Sequence, residues 1–110
     1  MIYYSSRTLD WCVEISYKNE KLKKECNTNK LAVKLYGDKV AEKLQLRIDQ
    51  LSSAESVDMM IQYHVGRCHA LVGDRKNEYA VDLVAGLRLI FEKIDINGTS
   101  IRILEIKDYH

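Results

Sequence analysis

The chain has 110 residues, of which 46% are hydrophobic and 30% are charged, and its formal net charge is +1. Such a length and composition are typical of one globular domain, so we predict a single domain over residues 1–110. The sequence contains no uncharged apolar run of the roughly 18 residues that a membrane helix requires, and its first residues lack the apolar core of a signal peptide. We therefore expect a cytoplasmic protein with no membrane partner. A near-neutral charge excludes a basic field over the whole surface, so any contact with RNA must depend on local clusters of cations.

The number and spacing of the three cysteines indicate whether disulfides or a metal site should be expected. Cys12, Cys26 and Cys68 are far apart and form no Cys-x-x-Cys pair. This pattern is typical of reduced thiols, at least some of them packed as small hydrophobic residues. Although Cys68 precedes His69, no second ligand pair has metal-binding spacing, so we expect neither a metal nor a cofactor.

The start of the chain predicts one strand followed by a helix. Residues 1–11 show no usable period and are interpreted as an N-terminal extension. Apolar and polar residues alternate over 13–17, which predicts a half-buried strand. Asn19 is a good cap for a short helix that runs towards Cys26. The lysines of this helix favour a solvated surface over a phosphate-binding patch.

Helical periods continue over the next thirty or so residues. Residues 27–29 break the first helix, and Leu31 and Leu35 then share one face of a second. Asp38 is the predicted N-cap of a third helix, and Ser56 that of a short fourth one. The third helix carries the strongest 3.6-residue stripe in the chain, formed by Val40, Ala41, Leu44, Ile48 and Leu51.

The pattern changes after Gly66, where short segments rich in β-forming residues alternate with turn residues. The predicted strands are Cys68–Val72, Tyr79–Val84, Leu87–Phe91 and Ile101–Ile106. Hairpin turns are predicted at Ala85-Gly86 and over 95–98. The order of strand, helices and then a meander predicts an α+β fold, with the helices on one face of a mostly antiparallel sheet.

Several residues in this second half have the chemistry that metal-free RNA cleavage requires. Such cleavage needs a base for the 2′-hydroxyl, an acid for the departing 5′-oxygen and cations for the charge on phosphorus. His69 and His110 suit the two proton transfers because the histidine pKa lies near working pH. Arg75 and Arg88 suit phosphate, and Tyr109 can stack on a base, orient a phosphate or exchange a proton.

Each of these residues also has a purely structural interpretation. His69 could be a strand histidine whose ring is satisfied by the backbone. Arg88 could pair with Glu92 or Glu105, and 74–76 could be an ordinary charged turn. His64 is interpreted as structural. Taken singly, the residues therefore leave function open.

The order of the motifs is more specific than any single residue. The chain contains His-x-Leu-x-Gly-Asp-Arg-Lys from His69, then Tyr79-Ala80-Val81, then 87–91 and finally Asp108-Tyr109-His110. This order resembles that of the HigB-type toxins, the plasmid-maintenance killer proteins of the RelE/ParE superfamily. The resemblance covers residues from about Val13 to His110.

The resemblance implies a RelE/ParE-like α+β fold and a toxin of a type II toxin–antitoxin system. It further implies ribosome-dependent endoribonuclease activity on mRNA and inhibition by a cognate antitoxin, commonly a helix-turn-helix protein. Operator DNA would then be bound only through the toxin–antitoxin complex. The catalytic residues that it implies are His69, Arg88, Tyr109 and His110, and the substrate-binding residues are Arg75, Lys76 and Asp108. His110 is the expected general base or acid, with His69 as its complement or as a phosphate ligand.

Two other functions stay open, and one departure from the family pattern favours the first of them. Three residues after the motif histidine the family carries a lysine, whereas this chain has Val72. Loss of that cation favours an attenuated toxin that acts as a binding module, unless Arg75 or Lys76 replaces the charge. A third hypothesis is a ParE-like poison of a protein target such as gyrase.

Overall fold

The computed structural model describes residues 13–84 and 86–108, so the predicted extension 1–11, Ala85, Tyr109 and His110 lie outside the described residues. The helices are α1 (Glu20–Asn27), α2 (Asn29–Tyr36), α3 (Asp38–Ser53) and α4 (Val57–Gln62), followed by a 3₁₀ turn over Val65–Arg67. The strands are β1 (Glu14–Tyr17), β2 (His69–Ala70), β3 (Glu78–Asp82), β4 (Leu87–Lys93) and β5 (Ser100–Asp108).

The strands form one five-stranded sheet in the order β1-β5-β4-β3-β2. Strand β1 runs parallel to β5, and all other neighbours are antiparallel. The β4–β5 ladder shifts register between Ile90 and Phe91, so Leu104 has no partner in it. The predicted α+β class and the mostly antiparallel sheet are confirmed.

The core lies between the helices and one face of the sheet. All five residues of the predicted α3 stripe are buried, because a 3.6-residue period places them on one side of the helix. From the sheet, Val81, Leu89, Phe91 and Ile103 join the same apolar cluster. Alternation along each strand then directs the intervening residues to the opposite face.

Two predicted helix caps are confirmed and one is wrong. The Asn19 side chain accepts a hydrogen bond from the Leu22 amide at 2.8 Å, and the Ser56 hydroxyl accepts one from the Met59 amide at 3.2 Å. Asp38 is not the N-cap of α3, since Gly37 occupies that position with φ of 92°. A tight turn from α2 into α3 requires this left-handed backbone, which glycine adopts without strain.

Helix α2 forms as predicted, with Leu31 and Leu35 four residues apart on one face, but another side of the helix is the buried one. Leu35 is half exposed, whereas Ala32 is buried and Tyr36 packs against the core. The Tyr36 hydroxyl lies 2.6 Å from a carboxylate oxygen of Glu25 in α1, a contact that turns this side of α2 inward.

The first predicted strand of the second half is shorter than expected. Only His69 and Ala70 of the segment Cys68–Val72 form a strand, and the chain leaves the ladder after Leu71, whose amide donates to the Glu78 carbonyl at 2.9 Å. Strand β5 is longer than predicted and continues to Asp108.

Candidate functional site

The sheet surface that faces away from the helices carries two of the predicted site residues, His69 and Arg88. The register pairs His69 with Ala80 and Asp82 with Arg88, and Arg88 in turn lies opposite Lys107. Directly paired residues point to the same side of a sheet, and these alternate with core residues such as Val81 and Leu89. We call this surface the open face. Its polar residues are His69, Glu78, Asp82, Arg88, Glu92, Arg102, Glu105 and Lys107.

His69 is oriented by the backbone just before it. Its Nδ1 atom lies 2.8 Å from the carbonyl oxygen of Arg67. Because a carbonyl oxygen only accepts, the proton of this bond is on Nδ1, and Nε2 is the nitrogen that remains for substrate. The backbone partner expected from the structural interpretation is therefore present, and it sets the tautomer that a general base needs.

Arg88 forms an ion pair across the β3–β4 hairpin. Its Nε atom lies 3.2 Å from Oδ1 of Asp82. The predicted pairing with Glu92 or Glu105 is wrong, because these carboxylates contact Arg102 at 2.9 Å and Arg75 at 3.3 Å. The hairpin register explains the difference, since it places Asp82 directly opposite Arg88.

Arg75 lies in the β2–β3 loop and reaches over the sheet. Its Nη2 atom contacts Glu78 at 2.7 Å and Glu105 at 3.3 Å. These carboxylates belong to β3 and β5, which flank β4, so Arg75 links the strands on either side of β4. Arg75 was expected to replace the positive charge that is missing at Val72, but its guanidinium already contacts two carboxylates.

Three other predicted positions differ in their surroundings. Lys76 is exposed in the β2–β3 loop, and Val72 exposes 88% of its surface nearby in sequence. Asp108 lies opposite Leu87, which packs against the core. Alternation therefore puts Asp108 on the helix side of the sheet, away from His69 and Arg88. Tyr109 and His110 lie outside the described residues.

The structure adds residues that the sequence reasoning missed. Arg67 contacts Oδ2 of Asp82 through Nε at 3.2 Å, so one carboxylate contacts two arginines. Lys107 lies next to this pair, opposite Arg88. Asp82 is the one acid in the predicted strand Tyr79–Val84, which drew attention to no partner, because a two-residue turn at Ala85-Gly86 would place it opposite Leu89. The observed register places it opposite Arg88.

The described charges divide the open face into two ends. His69 and Glu105 share the middle row of the face, with Ala80 and Ile90 between them. At the end next to Asp82, the charged residues are Arg67, Asp82, Arg88 and Lys107. At the other end they are Glu78, Glu92 and Arg102, and Arg75 links Glu78 to Glu105. By formal charge the first end has an excess of cations and the second an excess of carboxylates. A polyanion is therefore attracted to the first end.

The described residues offer neither a cluster of metal ligands nor a membrane-spanning helix. Within 13–84 and 86–108, no three His, Cys, Asp or Glu side chains are grouped so that they could hold a metal ion. Across the same residues, no helix is both long and apolar enough to cross a membrane.

Comparison with solved structures places this architecture among known folds. The structure is similar to that of a YoeB/ParE toxin from Agrobacterium tumefaciens, with a TM-score of 0.58 and 11% sequence identity over 89% of this chain and 100% of that chain. It is also similar to a chain of the YoeB-YefM complex from Staphylococcus aureus, with a TM-score of 0.57 and 13% identity over 89% of this chain and 98% of that chain. The chain has the RelE/ParE toxin fold. No protein-family model and no curated protein matches its sequence.

The RelE/ParE fold was predicted and is confirmed, while the finer resemblance to HigB stays a prediction. At such low identity the likeness concerns the backbone alone. The chemistry of this chain must therefore be argued from its own open face, where His69 is oriented by Arg67 and where Arg88 is held by Asp82.

Proposed function

We propose that this protein is the toxin of a type II toxin–antitoxin system, and that it arrests translation by cutting mRNA on the ribosome. The observation that carries the proposal is the open face of a RelE/ParE-fold sheet, which bears an oriented histidine and a cation-rich end. An imidazole beside arginines has the parts for phosphodiester cleavage without redox chemistry or a covalent enzyme intermediate.

The proposed reaction is an internal displacement within RNA. The 2′-oxygen attacks the adjacent phosphorus while a base takes the 2′-hydroxyl proton. The bond from phosphorus to the 5′-oxygen breaks, and an acid protonates that oxygen, which leaves a 2′,3′-cyclic phosphate and a 5′-hydroxyl. We assign the two proton transfers to His69 and His110, and stabilisation of the charged phosphorane to Arg88. Tyr109 is assigned to base stacking or phosphate orientation.

The proposal includes partners and a place of action. A cognate antitoxin is expected, and the similarity to a chain of the YoeB-YefM complex supports a partner protein for this fold. We propose that this partner is a helix-turn-helix protein, and that operator DNA is bound only by the complex. The site of action is the translating ribosome in the cytoplasm.

The test is to map the 5′ ends of cellular mRNA after the chain is induced. We expect new ends inside coding regions, and we expect His110→Ala and Arg88→Ala to abolish them. The matched control is Arg102→Ala, which removes the same charge from the other end of the open face, where Arg102 pairs with Glu92. New ends that persist in His110→Ala would contradict the assignment of His110. Growth arrest without new ends would point to a protein target such as gyrase.

A second candidate function is an attenuated toxin that only binds its antitoxin. Val72 stands where the family carries a lysine and is exposed, and Arg75 already contacts Glu78 and Glu105. This candidate predicts no arrest and no new mRNA ends from soluble wild-type protein. Val72→Lys should then restore cleavage, because it returns a cation to this loop.

A further inference from the structure

The carboxylate of Asp82 is the centre of the cation-rich end. Its Oδ2 atom lies 3.2 Å from Nε of Arg67, and its Oδ1 atom lies 3.2 Å from Nε of Arg88. The Oδ1 atom is buried and makes no hydrogen bond of standard geometry, so its ion pair with Arg88 is the contact that compensates its charge. The Asp82 side chain is about one-fifth exposed, and its carboxylate faces two cations.

The main chain of Asp82 is held from the helix layer. Arg47 of α3 donates from Nε to the Asp82 carbonyl at 2.7 Å and from Nη1 to Gln50 at 2.9 Å. The guanidinium of Arg47 lies against Gly66, where a Cβ atom would come within 2.7 Å of Nε. Helix α3 and the 3₁₀ turn therefore fix the end of β3 from which the Asp82 side chain extends.

Arg67 adopts a strained backbone that its ion pair alone does not explain. Its φ is 55°, a left-handed conformation that costs a non-glycine residue about 1–2 kcal/mol. Its side chain is 79% exposed, and an exposed ion pair returns only about 0–1 kcal/mol. The Arg67 amide also donates to the His64 carbonyl at 3.1 Å within the turn, and left-handed residues of this kind often occur at functional positions. The carbonyl of Arg67 also orients His69, so one residue serves both groups.

We propose that Asp82 is a positioning residue that holds Arg67 and Arg88 as one pair, and that this pair binds a backbone phosphate of single-stranded RNA beside His69. The inference rests on the proposed function and names two residues of its substrate site. Arg67, which contacts Asp82 through Nε, has four further N–H donors on its Nη atoms, a geometry that suits phosphate oxygens. The group formed by Asp82, Arg67 and Arg88 carries more positive than negative charge. Lys107, which lies opposite Arg88, adds a further positive charge beside it.

Substitution of Asp82 can show whether it acts by positioning the arginines or only through its negative charge, because the two roles change RNA affinity in opposite directions. Asp82→Asn removes a negative charge from an RNA-binding surface, so a field effect alone would tighten binding. Loss of positioning would weaken it instead, by about tenfold for one charge-assisted hydrogen bond. The matched control is Glu92→Gln, which removes an acid at the other end of the open face, where it contacts Arg102.

The measurement is the fluorescence anisotropy of a labelled 12-nucleotide RNA, titrated with the full chain at several salt concentrations. We expect Asp82→Asn to weaken binding about tenfold and Glu92→Gln to leave it equal or tighter. Arg67→Ala should lower the slope of log affinity against log salt by about 0.7, the value for one lost phosphate contact on a single strand. Arg67→Lys keeps the charge but loses the planar guanidinium, and it tests the pair even if Asp82→Asn does not fold.

The outcomes distinguish this inference from the proposed function. Equal or tighter binding by folded Asp82→Asn, or unchanged binding by Arg67→Lys, would overturn the positioning role. Wild-type protein that binds no RNA would overturn the phosphate site. If the variants weaken binding as expected while mRNA 5′ ends stay unchanged in cells, the phosphate site stands and the nuclease proposal fails.

Discussion

Substitution of Gly66 by alanine tests how the helix layer supports the open face. Gly66 has φ of 59°, and a Cβ atom added there would lie 2.7 Å from Nε of Arg47, within contact distance of its whole guanidinium end. Arg47 is a flexible side chain and can move away. Because Nε is both the atom nearest to the added Cβ and the donor to the Asp82 carbonyl, we expect this movement to break that hydrogen bond.

The expected cost of Gly66→Ala has two parts. The left-handed backbone costs an alanine about 1 kcal/mol more than a glycine. Displacement of Arg47 breaks a hydrogen bond from a charged donor, which contributes about 1.5–3 kcal/mol. The free energy of unfolding should therefore fall by about 3 kcal/mol in total, a large fraction of the stability of a small domain.

Urea unfolding of four proteins measures both parts: wild type, Gly66→Ala, Arg47→Ala and the double variant. Without the Arg47 side chain only the backbone part remains, so Gly66→Ala should then cost about 1 kcal/mol. A coupling energy of at least about 1.5 kcal/mol is expected between the two positions. Additive effects, or a cost below about 1 kcal/mol in the wild-type background, would refute the proposed contact between Arg47 and the 3₁₀ turn.

Three further predictions concern the core, a helix cap and the buried thiols, and urea unfolding measures each of them. Phe91→Ala should cost about 3–5 kcal/mol, because the ring is fully buried in the core. Asn19→Ala should cost about 1 kcal/mol, because the Leu22 amide loses its acceptor. Burial raises the pKa of Cys26 and of Cys68 to about 12, whereas the pKa of a thiol in an unfolded chain is about 8.5. Stability should therefore hold below about pH 8 and fall above it by up to about 1.4 kcal/mol per pH unit for each thiol. Cys68→Ala should make that fall shallower, and an unchanged slope would contradict the raised pKa.

Much of the fold was predictable because it depends on near neighbours in the chain. The α3 stripe from Val40 to Leu51 is buried as its period predicts, and Asn19 and Ser56 cap the helices that follow them. Alternation likewise predicted strand β1, and β-forming segments between turn residues predicted the later meander. Periodicity and capping involve residues within about four positions of one another, so a single sequence contains them fully.

For the candidate site, the sequence predicted which residues take part but not which of them contact one another. His69 and Arg88 were singled out by motif and chemistry, and both lie on the open face. The sequence did not reveal that Asp82 rather than a glutamate faces Arg88, nor that Asp108 points to the helix side. These outcomes depend on strand register, which the hairpin turns and the shift after Ile90 determine.

The sequence by itself determined the helices, the strands and the set of side chains available for chemistry. Only the tertiary structure decided which of them meet, as when Arg67, at the end of a 3₁₀ turn, reaches the carboxylate that also holds Arg88. Residues 67 and 82 are separated by a strand and a loop, and no local period relates them. Their contact follows from the order of strands in the sheet and from the left-handed turn at Arg67. Local preferences act along the chain, whereas a site of this kind requires side chains from separate segments to converge in space.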